Sequence, residues 1–121
     1  MAVKEVMDYL HRRAGDDLRG IVLYDDEAMR VIHLRNDIRK HRLKNQVEAM
    51  LDRIRPESQA AEEAAFPFGD LFVTVRRFEH AIIMHFPLKA GEGVVVALEP
   101  ETAQSLNTFT SDILDRLHES P

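Results

Sequence analysis

The sequence predicts an α/β chain of the α+β type: one five-stranded antiparallel sheet with helices on both faces, in the order α-β-β-α-β-β-β-α. Three observations predict it. Residues 70–98, DLFVTVRRFEHAIIMHFPLKAGEGVVVAL, hold three apolar, β-branched runs separated by two short polar turns. Two further runs, 18–24 and 28–35, flank Asp25-Asp26-Glu27 and read as a hairpin. Three other stretches carry apolar residues at helical spacing. A single sheet covered on both sides buries five strands and three helices together.

The first helix is expected over 3–14, where Val3, Val6, Met7, Leu10 and Ala14 form one stripe and Gly15 stops the run. The strands 18–24 and 28–35 follow. Alternation places Met29, Val31 and His33 on one face of the second strand. Asn36 or Asp37 can cap a second helix over about 37–54, striped by Leu43, Val47, Met50, Leu51 and Ile54 and ended by Pro56. Residues 57–65 favour helix but have almost no apolar face, so they read as a short appended helix or a linker.

Strands are then expected at about 70–78, 81–88 and 93–99. Glu79-His80 is a tight turn, and Gly91 supplies positive φ in the second connection. Val94-Val95-Val96-Ala97-Leu98 is apolar on both faces, as a central strand would be. The last helix is expected over about 101–118, with Ala103, Leu106, Phe109, Ile113, Leu114 and Leu117 on its stripe.

The 121 residues suit a single domain spanning 1–121. No cysteine is present, which excludes disulfides, thiol catalysis and cysteine-zinc sites, and a cytoplasmic location is expected. No run of about 18 apolar residues occurs, so no membrane insertion is expected. The net charge of −5 argues against nucleic acid as the main partner.

The order and lengths of the elements resemble the roadblock/dynein-light-chain family and its profilin-like fold, over about residues 3–118. The resemblance is strongest across Ile82–Leu117, which contains GVVVALEP and an amphipathic helix. It implies the strand order 2-1-5-4-3, with the first and third helices on one face and the second on the other. A narrower resemblance, to small uncharacterised haloarchaeal proteins, rests on five segments. They are Gly15-Asp16-Asp17-Leu18-Arg19, His33-Leu34-Arg35-Asn36-Asp37, Gly69-Asp70-Leu71, Val75-Arg76-Arg77-Phe78-Glu79 and His85-Phe86-Pro87. It implies an archaeal source.

The third strand would lie at a sheet edge, whose free backbone groups must be paired or covered. The roadblock resemblance implies pairing with a second copy. Phe72, Thr74 and Arg76, with Met50, Leu51 and Ile54 of the second helix, are the expected homodimer interface. Shielding by Arg76-Arg77 and the 57–68 segment is the alternative. A non-catalytic regulatory module follows from the resemblance, with a small GTPase or other regulatory protein as partner.

Arg35, Arg39, Lys40, Arg42 and Lys44 against Asp37 give segment 35–44 a net +4. This is a candidate anion or partner patch at a helix start, or a solvated helix face. Nucleic-acid binding there is a weaker alternative, because interleaved aromatics are missing. Tyr24, His33, Phe78 and His85 could line the pocket of a small-molecule sensor, the second functional class. The six histidines form no spaced ligand pair, so no metal is expected. No cofactor motif and no nucleophile with a base at motif spacing occurs, so neither a cofactor nor an enzymatic activity is expected.

Overall fold

The computed structural model describes residues 3–53, 63–88 and 91–118. Its elements are α1 (Val3–Ala14), β1 (Leu18–Tyr24), β2 (Met29–Leu34), α2 (Lys40–Arg53), β3 (Thr74–Arg77), β4 (Ile82–Pro87), β5 (Gly93–Leu98) and α3 (Leu106–His118). The five strands form one antiparallel sheet in the order β2-β1-β5-β4-β3. The sheet and its order are those expected.

Every residue of β5 is buried, because the strand lies mid-sheet with helices over both faces. On one face, Val6, Tyr9 and Leu10 of α1 and Ile113 of α3 pack with Leu18, Ile21, Ile82, Met84, Phe86, Val94, Val96 and Leu98. Tyr9, off the predicted stripe, is buried all the same. Its hydroxyl donates to Asp112 Oδ2 at 2.7 Å, and the Arg116 guanidinium stacks 4.2 Å from its ring centre, tying α1 to α3. On the other face, Leu43 and Val47 of α2 pack with Val22 and Val95. Gly20 lets α2 come close: a Cβ there would stand 2.7 Å from Leu43 Cδ2.

The β1–β2 turn closes without glycine because Asp25 Oδ1 accepts the N–H groups of Glu27 and Ala28, each at 2.8 Å. The β3–β4 turn is the expected Glu79-His80, closed by Phe78 N–H donating to Ala81 O at 2.8 Å. Gly91 takes a φ of 79°.

Four expectations change. The register shifts between Ile21 and Val22, so His33 lies opposite Ile21, on the α1 face, away from Val31. α2 begins at Lys40, because the Asp37 carboxylate is taken by Arg35 and does not cap it. β3 spans four residues, not nine, as only Thr74–Arg77 pair with β4. A 3-10 turn over Pro100–Ser105 precedes α3, held by Thr102 Oγ1 donating to Glu99 O at 2.8 Å. Residues 63–65 are helical; 57–62 and Ile54 lie outside the described residues.

Candidate functional site

β3 is the last strand of the sheet and pairs only with β4 among the described residues. Its cross-strand partners fix its faces. Thr74 opposes His85 and Arg76 opposes Ile83, toward α2, while Val75 opposes Met84, toward α1 and α3. Arg76 Nη1 donates to Thr74 Oγ1 at 3.3 Å, so two predicted interface residues touch. Phe72, half-exposed, lies just before the strand with its ring 4.9 Å from His118 of α3. Met50 and Leu51 are half-buried on α2, against its core cluster.

The exposed large apolar side chains among the described residues are Phe66, Phe68, Phe72, Val75 and Phe78. All fall between 66 and 78, around this edge. Phe68 is 84% exposed, and its ring stacks on Phe66 with centres 6.3 Å apart. Sequence reasoning missed both. The signal was available: two phenylalanines around Pro67, in a segment with no periodicity to bury them.

The proposed ligand-pocket residues do not converge as a group. Tyr24 and His85 do meet, Oη to Nε2 at 2.5 Å, although β5 runs between their strands. Gly93 allows this, since a Cβ there would collide with the Tyr24 ring. Burial lowers the His85 pKa to about 4, assisted by the Arg76 charge, and raises Tyr24 to about 12. Both are therefore neutral near pH 7. His33 lies on the opposite face, its ring edge-on to His11 at 4.3 Å. Its pKa is lowered by burial and by His11. Phe78 stands beyond the sheet end opposite the Tyr24–His85 pair, over a groove beside α2.

The basic run divides. Arg35 is engaged with Asp37 (2.6 and 3.1 Å), Glu99 (2.7 Å) and the Asp16 carbonyl (2.7 Å). Glu99 also receives Arg19 at 3.2 Å. These contacts lock the start of β1, the end of β2 and the end of β5 together. Arg39, Lys40 and Arg42 are exposed and Lys44 half-buried, and none has an ion pair among the described residues. No group of three or more metal-ligating side chains occurs among the described residues, and no helix there is long and apolar enough to cross a membrane.

A family model described as a domain of unknown function, DUF7522, matches residues 4–118. No curated protein sequence matches the chain. Among solved structures, the chain is similar to a Roadblock/LC7 domain from Streptomyces avermitilis. The TM-score is 0.61 at 17% identity, covering 92% of this chain and 90% of that one. The likeness shows a roadblock-type fold.

Proposed function

We propose that this chain, which belongs to the DUF7522 family and has a roadblock-type fold, is a non-catalytic interaction domain that works as a homodimer joined through β3 and α2. The observation that carries the reading is the clustering of Phe66, Phe68, Phe72, Val75 and Phe78 around an edge strand that pairs only with β4 among the described residues. An edge strand offers backbone donors and acceptors, and exposed aromatics beside it supply the apolar area a stable interface needs. A two-fold axis at β3 would extend the sheet across both copies, with Phe72, Thr74, Arg76, Met50 and Leu51 at the contact. Such a dimer would serve as a platform for a regulatory protein, with a small GTPase as the partner class the fold suggests.

The Tyr24–His85 pair supports a non-catalytic reading. His85 is 4% exposed and its Nε2 is occupied, so it is out of reach of a substrate. Light scattering after size exclusion, in low and in multimolar salt, tests the dimer. The expected mass is twice that of the chain, and Phe72→Asp with Val75→Asp should return it to the monomer without loss of helical signal. A monomer at high concentration in both salts would end the proposal.

A further inference from the structure

α2 packs over β1 and β2, and a groove of about 660 Å³ opens between it and the β3–β4 hairpin. Leu43 and Val47 form one wall, Ile83 and Ala97 the floor, and Phe78 the far lip. Arg42 stands at the rim, exposed and without an ion pair among the described residues. Of the other charges at the rim, Arg19 is paired with Glu99 at 3.2 Å, and the Glu79 carboxylate lies out in solvent, 3.1 Å from His80 Nε2. An apolar trough with a guanidinium at its mouth that has no ion pair among the described residues suits a ligand with an alkyl body and an anionic head.

We propose that this groove binds a long-chain carboxylate, with the carboxylate on Arg42 and the alkyl chain along Val47, Ile83 and Phe78. The volume falls in the range of small-molecule sites, roughly 300–1,000 Å³. Guanidinium binds carboxylate through two parallel N–H donors, which favours this head group over a neutral one. The chain as a whole is acidic, so its general field does not draw anions to this point and the selectivity must be local.

Titration calorimetry on the full chain, with octanoate, decanoate and dodecanoate below their micelle concentrations, tests the site. Saturable binding is expected, tightening roughly tenfold for each added pair of methylenes. Dodecanol should bind about tenfold more weakly than dodecanoate, and Arg42→Gln should erase that difference. Gln46→Trp, an exposed α2 position at the groove, should block binding while the circular dichroism stays unchanged. No saturable binding of dodecanoate, equal binding of dodecanol by the wild type, or dodecanoate binding unaffected by both variants would overturn the proposal. The site does not depend on dimerisation, but Met50 borders both surfaces, so mass is measured in the same samples. Lost binding at unchanged mass then reports on the groove alone.

Discussion

The two faces of the sheet are built to different standards of closure. α1 and α3 share one face and leave Leu10, Leu18, Ile21, Ile82, Met84, Phe86 and Ile113 fully buried. The other face carries α2 over β1 and β2 and keeps a hydrogen-bonded Tyr24–His85 pair, a groove and the side chains of Thr74 and Arg76 at the edge. The first face closes tightly over the sheet centre, and its polar contacts, Tyr9 with Asp112 and His11 with His33, lie around that core. The second holds a polar pair inside, Tyr24 with the buried His85, beside an open groove, which is where a stability-driven fold makes concessions to binding.

The largest effect that tests this contrast is a pair of truncations. Phe86→Ala empties a site that is 0% exposed, within the core that α1 and α3 share, so it should cost about 3–5 kcal/mol. Leu43→Ala lies beside the groove, where neighbours and water can fill the space, and should cost about 2 kcal/mol, the low end for a buried leucine. Urea denaturation measures both. An equal or larger loss at Leu43 would mean that the α2 face is as tightly closed as the other.

Acid sharpens the contrast next. His85 drops from an ordinary 6.5 to about 4 in the fold, first through burial and then through the Arg76 charge. Between those values the unfolded chain takes up a proton that the folded chain refuses. Stability from this group is therefore complete above about pH 6.5 and drains away as pH falls to 4. At ~1.4 kcal/mol per unit the loss totals about 3 kcal/mol. His33 shifts in the same direction, so the readout is the difference between wild type and His85→Asn. Urea midpoints of the variant should fall less between pH 7 and 4.5; parallel curves would show that His85 is not held neutral.

The closed face was the easier one to read from sequence. β5 is legible because a run that is apolar on both sides has only one place in a sheet, between two neighbours and two helix layers. The α1 stripe is legible because its spacing leaves one buried side. The open face follows from details that periodicity does not carry. One extra residue between the Ile21 and Val22 pairings turns His33 to the far side and separates it from His85. Asp37 looks like a helix cap until Arg35, aligned by the end of β2, claims it. The groove exists because the single helix on this face sits over β1, β2 and Val95 of β5 and leaves the β3–β4 side open, a matter of placement that no local spacing encodes. Phe66 and Phe68 show the converse: their exposure follows from having no periodic partner, which the sequence did display.

The smallest predicted difference is between the two tyrosines, one for each face. Tyr9 bonds to Asp112, a half-buried carboxylate that water can reach once the phenol is gone, so Tyr9→Phe should cost at most about 1 kcal/mol. Tyr24 bonds to a ring nitrogen of a histidine that is 4% exposed, and no buried side-chain N or O among the described residues lacks a partner. Tyr24→Phe leaves that nitrogen unsatisfied and should cost about 1–3 kcal/mol. Its effect on acid sensitivity separates hydrogen bonding from burial. Burial is the main cause of the lowered His85 pKa, so the variant should lose stability uniformly from pH 7 to 4.5 and keep the wild-type slope. A flattened slope in Tyr24→Phe would mean that water enters beside His85 once the phenol is removed. The α2 face would then be held shut by this single hydrogen bond and not by packing.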